Sequence, residues 1–202
     1  TRGLPSLVTA IRGLHHRVWG MEVAEENVAV MTSATQGIYT ACQALLDAGD
    51  EAVVFEPFFP WYLPAIRLAG AAPVVVPLAP ARGWRPDPAA LERALSPRTK
   101  LVVFNTPHNP CGWAASREEL AALCAVLRRR PDVLVLADEA YEGQCWGQEH
   151  AKLAREEGMW ERTLTLSTAS KLCSLTGWRI GWAVGPRPLV DAVQLLGGYE
   201  TF

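Results

Sequence analysis

Short apolar runs alternate with segments of helical periodicity along almost the whole chain, and this alternation restricts the fold more than any other feature. Such runs are typical of strands covered on both faces, and strand–helix alternation is typical of parallel sheets. We therefore expect an α/β fold with a mainly parallel sheet and helices on both faces. With no internal boundary visible, residues 1–202 form one predicted domain. The predicted strands are 28–31, 52–55, 73–76, 101–104, 133–137, 163–167 and 179–184.

Helix signals lie between these strands. Ser33 precedes a segment with an apolar face, Asp87 stands before Pro88 at a predicted helix start, and Ser116 and Glu119 have the spacing of a capping box. A further helix is expected over 5–19 and another over 61–69.

Composition and charge exclude several classes of protein. The chain has 202 residues, with 19 Lys and Arg against 21 Asp and Glu, a net charge of -2 that gives no basic surface for nucleic acid or an anionic membrane. The longest apolar run, 68–79, contains Gly and Pro and is too short to cross a membrane. Five irregularly spaced cysteines indicate reduced thiols in an intracellular compartment, either cytoplasmic or mitochondrial, and no metal site. Because the sequence begins with Thr1, we expect it to be a fragment.

Polar residues follow several of the predicted strands, where ligands bind in open α/β sheets. Ser33-Ala34-Thr35 begins a helix, whose N-terminus binds anions, although Thr35 is also interpretable as a plain cap. Asp138 follows an apolar strand and needs a cationic partner, for which an arginine is one alternative. Glu139 is expected to point outward. A nicotinamide site is not indicated, because no G-x-G-x-x-G follows any strand.

Lys171 is one of three lysines and follows the predicted strand 163–167. Most lysines are solvated surface charges, but one at the mouth of a cleft can form a Schiff base with an aldehyde. An anion site, a buried carboxylate for a pyridinium nitrogen and a reactive lysine are together what a pyridoxal phosphate site requires.

These residues lie in segments that resemble the fold-type I aminotransferases of class I/II. Within that family, the similarity is to the kynurenine aminotransferase, glutamine transaminase K and cysteine-S-conjugate β-lyase group. The resemblance runs from Gly3 to about Val193. It is carried by QALLDAGDEAVVFEPFFPWY, VVFNTPHNPCG, LADEAYE and GMWERTLTLSTASKLCSLTGWRIGWAVGP.

The resemblance implies a role for each matching residue. Lys171 would be the Schiff-base lysine and would move the substrate proton. Asp138 would hold the pyridine nitrogen protonated, and Asn109 and Tyr141 would bind the cofactor's phenolic oxygen. Phe59 would stack on the ring, and Trp61 and Tyr62 would line the substrate side. The implied phosphate site comprises Ala34, Thr35, Thr168, Ser170 and Arg179.

The resemblance further implies transamination between an amino acid and a 2-oxo acid, with an aromatic, kynurenine or glutamine-like amino acid as the expected substrate. It implies a homodimer for a full-length parent and a small C-terminal domain that this sequence lacks. Two alternatives stay open. One is a cysteine-S-conjugate C–S β-lyase with the same cofactor, and the other is an inactive truncated domain.

Overall fold

The computed structural model describes residues 2–200, which form a seven-stranded sheet in the order β1-β7-β6-β5-β4-β2-β3. β7 runs antiparallel to both of its neighbours, β1 and β6, and the other neighbouring pairs are parallel. The predicted mainly parallel sheet is therefore confirmed. The strands are β1 Val28–Met31, β2 Glu51–Glu56, β3 Ala72–Pro77, β4 Thr99–Asn105, β5 Leu134–Asp138, β6 Thr163–Thr168 and β7 Gly181–Val184.

Helices cover both faces of this sheet, as the alternation predicts. Alternate strand residues point to opposite faces, so Val54 packs in the core beneath α2, α3 and α7, while Val53 packs beneath α4 and α5. Helix α1 packs against β1 and β7 through Val8 and Ile11. The helices are α1 Pro5–Trp19, α2 Ala34–Leu45, α3 Tyr62–Leu68, α4 Pro88–Ala94, α5 Arg117–Arg128, α6 Ala169–Leu172 and α7 Arg187–Glu200.

The predicted helix starts agree with local side-chain chemistry. Ser116 and Glu119 form the expected capping box at α5, in which each side chain accepts a hydrogen bond from the other's backbone N–H. The Asp87 carboxylate accepts from the Ala89 N–H at 3.2 Å at the start of α4. Both helices pack in the same core cluster, on one face of the sheet.

The last predicted strand begins later than expected. We predicted 179–184, but β7 begins at Gly181, because Arg179 adopts a left-handed conformation with φ 53°. A Cβ on Gly181 would lie only 2.5 Å from the Ser33 carbonyl carbon. The absence of a side chain at Gly181 therefore lets the start of β7 approach the start of α2, and the turn before it directs Arg179 toward the same place.

No helix within residues 2–200 combines the length and the apolar composition needed to cross a membrane. All five cysteines are free thiols, as predicted.

Candidate active site

A cavity of about 220 Å³ lies where β4, β5 and β6 end and α2 begins. Its wall contains all ten residues that the resemblance assigned to the cofactor: Ala34, Thr35, Phe59, Asn109, Asp138, Tyr141, Thr168, Ser170, Lys171 and Arg179. Ser33, Ile38, Asn105, Ala140 and Thr176 complete the lining. The fold thus brings residues from six separate segments into one site, which we call the active-site cavity.

Asp138, the last residue of β5, is only 5% exposed. Its carboxylate accepts hydrogen bonds from the Tyr62 hydroxyl at 2.6 Å and from the Ala140 N–H at 3.2 Å. Burial raises the pKa of Asp138, and these two hydrogen bonds oppose the rise. Within residues 2–200 no Lys, Arg or His forms an ion pair with it, so the arginine partner considered from the sequence is not found. A cation bound in the cavity would compensate this carboxylate.

Tyr62 lies beside Asp138 and does not line the active-site cavity. The expectation that it faces the substrate was wrong, because Tyr62 begins α3 with its ring turned into the core, where it is 2% exposed. Burial, followed by the neighbouring Asp138, raises the pKa of Tyr62 well above its usual value. Trp61 is 56% exposed and lies outside the cavity. In the sequence, Tyr62 lies three residues after Phe59, a predicted cofactor residue. In the structure the two rings meet edge to face, with their centres 5.8 Å apart.

Asn105 stands at a strand end, where ligands are expected, but sequence reasoning gave it no role in the site. Its amide donates to the Asp138 carbonyl at 2.8 Å, and its side-chain oxygen accepts from the Asn109 N–H at 2.7 Å. It therefore joins the end of β5 to the loop that carries Asn109. The Asn109 amide in turn donates to the Tyr141 hydroxyl at 3.5 Å, which places both predicted ligands of the phenolic oxygen side by side. The signal was its position in VVFNTPHNPCG, where Asn105 comes directly before two closely spaced X-Pro steps, at Pro107 and Pro110.

Lys171 lies on α6, the single turn of helix that follows β6. The Thr168 hydroxyl caps this turn by accepting from the Ser170 N–H at 3.2 Å, and it donates to the Ile180 carbonyl at 2.9 Å. The Lys171 Nζ lies 5.7 Å from the centre of the Tyr141 ring. No carboxylate within residues 2–200 forms an ion pair with this half-buried lysine, so its amine is available to the cavity.

The opposite end of the cavity is suited to an anion. The first N–H groups of a helix have no partner within it, and at α2 the Ser33 side chain accepts only from Gln36 N–H, at 3.0 Å. Ser33 is thus the cap of α2, and Thr35, which we had also considered as a cap, lies inside the first turn. The Arg179 guanidinium lines the same cavity while donating to the Thr176 carbonyl at 3.1 Å. Backbone N–H groups, hydroxyls and a fixed cation are what a phosphate group binds.

Glu139 was expected to point outward, and this was wrong. It points to the face of the sheet opposite Asp138, as alternation requires, but α1 and the segment after β5 cover that face. Glu139 is 0% exposed and pairs with His150 and Lys152.

Three features of the active-site cavity match the chemical groups of pyridoxal phosphate. In the part of the chain that the structure describes, no cationic side chain pairs with the Asp138 carboxylate and no carboxylate pairs with Lys171, while the first N–H groups of α2 have no partner within the helix. A pyridinium nitrogen, an aldehyde and a phosphate match these three features in turn.

The fold and the active-site cavity are of the kind found in fold-type I aminotransferases. The model of the family "Aminotransferase class I and II" matches residues 1–198, and the chain belongs to this family.

Two relatives found by sequence comparison are human transaminases. Human kynurenine–oxoglutarate transaminase 3 is 39% identical in an alignment 207 residues long, which covers 96% of this chain and 45% of the relative. Human kynurenine–oxoglutarate transaminase 1 is 40% identical in an alignment 214 residues long, which covers 100% of this chain and 50% of the relative. The chain therefore spans about half the length of the curated relatives that it matches.

Solved structures of aminotransferases superpose closely on this chain. N-succinyldiaminopimelate aminotransferase from Mycobacterium tuberculosis superposes with a TM-score of 0.95 at 39% identity, covering 99% of this chain and 53% of that one. A mutant of Thermus thermophilus aspartate aminotransferase gives a TM-score of 0.94 at 36% identity, covering 99% and 52%.

Proposed function

We propose that this chain is the large pyridoxal-phosphate-binding domain of an aminotransferase that moves an amino group from an amino acid to a 2-oxo acid. The observation that carries the proposal is the buried carboxylate of Asp138, which forms no ion pair with any side chain of residues 2–200 and lies in the same cavity as Lys171 and the start of α2. Burying an uncompensated carboxylate destabilises a protein. A ligand with a cationic ring nitrogen would compensate the charge of the Asp138 carboxylate.

Each end of the cavity has a separate task in this proposal. Pyridoxal phosphate, when bound, supplies an aldehyde that condenses with amines and a ring that withdraws electrons from the substrate α-carbon. Asp138 would hold the proton on the ring nitrogen, and the Tyr62 hydroxyl would keep the Asp138 carboxylate ionised and oriented. Asn109 and Tyr141 would donate hydrogen bonds to the phenolic oxygen, and Phe59 would pack on the ring.

Lys171 would perform the covalent and proton-transfer steps. Its amine would be placed to bond with the cofactor's aldehyde carbon, and when free it would take the substrate's α-proton and deliver it to that same cofactor carbon, which lies on the far side of the nitrogen. The phosphate would be held by the first N–H groups of α2 with Arg179, Thr168 and Ser170. Arg179 suits this place, because its planar guanidinium binds phosphate through two hydrogen bonds.

The substrates to test first are aromatic, kynurenine-like and glutamine-like amino acids. This choice is supported by the similarity to two human kynurenine–oxoglutarate transaminases. The cysteine-S-conjugate lyase reaction is the alternative, and release of pyruvate and thiol without a 2-oxo acid would identify it. We also propose a homodimer for the full-length parent, which sedimentation at several concentrations would test.

The decisive experiment is incubation with pyridoxal phosphate followed by an absorption spectrum, borohydride reduction and peptide mapping. We expect a visible band that becomes a stable adduct on Lys171. Lys171→Ala should abolish the band, whereas the matched control Lys100→Ala, an exposed lysine at the far end of β4, should keep it. Absence of a band, or labelling shared with Lys100 and Lys152, would contradict the proposal and favour a truncated domain without a formed site.

A further inference from the structure

A cluster of four buried ionisable side chains lies on the opposite face of β5 from the active-site cavity. Glu139, Glu142, His150 and Lys152 are each less than a tenth exposed, and we call them the Glu139 cluster. The Lys152 Nζ lies 2.5 Å from Glu139 Oε2 and 2.6 Å from Glu142 Oε2. The His150 Nε2 lies 3.0 Å from the same Glu139 oxygen. One ammonium therefore bridges two carboxylates.

The charges of the Glu139 cluster compensate one another. Burial by itself would raise the pKa of Glu139, but Lys152 and His150 lower it to about 2. Burial would likewise lower the pKa of His150, but Glu139 and Cys145 raise it to about 9. The neighbouring His15 has its pKa lowered to about 4, first by burial and then by Lys152, so it adds no charge at neutral pH. Two cations and two carboxylates thus balance.

The cluster does not carry a metal-site proposal. Ligand atoms of Glu139, Glu142 and His150 lie within 4.8 Å of one another, which is a spacing that a metal ion accepts. The Lys152 ammonium, however, already lies between the two carboxylates. The cation that these carboxylates require is part of the chain itself.

Glu139 and Glu142 are the two ends of the turn that carries Tyr141. The Glu142 N–H donates to the Glu139 carbonyl at 2.9 Å, which closes the turn. The Ser167 hydroxyl also donates to Glu142, and this ties the turn to β6, the strand that leads into Lys171. The Lys152 ammonium therefore contacts the side chains at both ends of the turn that carries Tyr141.

We propose that Lys152 is a positioning residue for Tyr141, because its ammonium bridges Glu139 and Glu142 and so sets the turn from which the Tyr141 hydroxyl meets Asn109. The inference rests on the proposed function, in which Tyr141 binds the cofactor's phenolic oxygen. Lys152 itself does not line the active-site cavity. Its effect on the site therefore passes through the turn.

The test compares one charge-balanced double variant with a single-residue control, both made in the complete chain. Lys152→Gln combined with Glu142→Gln removes one positive and one negative charge and leaves Glu139 paired with His150. Glu51→Gln is the matched control, because Glu51 is also buried and paired, with Arg98, but at the start of β2, away from the cavity. Tyr141→Phe removes the hydroxyl altogether, so its effect on the cofactor is the reference against which the effect of the double variant is compared.

The first readout is the pH midpoint of the visible band of bound pyridoxal phosphate. A donor to the phenolic oxygen favours its anionic form, so losing the donor raises the midpoint. We expect the double variant to raise it by about half to one pH unit, in the direction of Tyr141→Phe. Adding Tyr141→Phe to the double variant should then give little further rise, and Glu51→Gln should leave the midpoint unchanged.

The second readout uses the cofactor-free chain. Amide hydrogen exchange of residues 140–143 should become faster in the double variant and stay unchanged in Glu51→Gln. If the double variant does not fold, the same two measurements are made on the single variant Glu142→Gln. We then expect smaller changes in the band midpoint and in the exchange of residues 140–143.

An unchanged midpoint, or unchanged exchange in residues 140–143, overturns the positioning role while a normal wild-type band keeps the proposed function. A wild-type chain that forms no band overturns the proposed function itself, and the positioning of a cofactor ligand with it.

Discussion

The Tyr62 hydroxyl donates a 2.6 Å hydrogen bond to Asp138 across 76 positions of sequence, and both side chains are buried. This bond joins the start of α3 to the end of β5. It also stabilises the charged form of the carboxylate, which burial disfavours. The ionisation of Asp138 is therefore set by a helix on which the sequence shows no polar motif.

Tyr62→Phe should destabilise the cofactor-free chain by about 2 kcal/mol at pH 7, because a buried carboxylate loses a charge-assisted hydrogen bond. Urea unfolding measures the loss. Tyr39→Phe is the control, since Tyr39 is 40% exposed and its ring lies at the surface. Equal effects of the two substitutions would contradict the importance that we assign to the bond with Asp138.

Asp138→Asn should change how the stability of the cofactor-free chain depends on pH. The pKa of Asp138 is raised in the folded state, so its stabilising contribution is present below its usual value of 3.8 and is lost as pH rises through the raised pKa. The wild-type chain should therefore lose stability relative to Asp138→Asn as the pH rises above 3.8 and through the raised pKa, as measured by urea unfolding at each pH. A relative gain of wild-type stability over that range would contradict the shift.

Gly181→Ala should both destabilise the chain and weaken phosphate binding. A Cβ there would lie 2.6 Å from the Ala34 backbone nitrogen and would push the start of α2 away from β7. We expect a loss of about 3 kcal/mol in unfolding free energy and reduced retention of pyridoxal phosphate on dialysis. Gly177→Ala is the matched control, because nothing lies within 4 Å of its Cβ. A Gly181→Ala chain that retains the cofactor like Gly177→Ala would refute the close approach.

His150→Gln should destabilise the chain in a pH-dependent manner. The pKa of His150 is raised from 6.5 to about 9, so its stabilising contribution is complete below pH 6.5 and disappears as pH rises through 9. The loss should reach at most about 3 kcal/mol near pH 6 and become small near pH 10. His16→Gln should change little at either pH, because the His16–Glu22 pair is exposed. A loss from His150→Gln that grows with pH would contradict the pairing with Glu139.

Much of the fold could be predicted because its signals are local. The capping box of Ser116 and Glu119 and the apolar runs of the strands depend on residues a few positions apart. The boundary of β7 could not be predicted, because Gly181 meets Ser33 only when the sheet has formed. The same limit applied to Glu139, whose burial depends on what covers the far face of β5.

The sequence by itself determined the order of strands and helices along the chain, because periodicity is local, and its contiguous family motifs identified ten of the fifteen residues that line the active-site cavity. Tertiary structure alone decided that Tyr62 binds Asp138 and that Lys152 bridges Glu139 and Glu142. Both arrangements rest on tertiary packing that buries polar and charged side chains together. In a linear sequence these side chains are indistinguishable from the aromatic and charged residues of an ordinary surface.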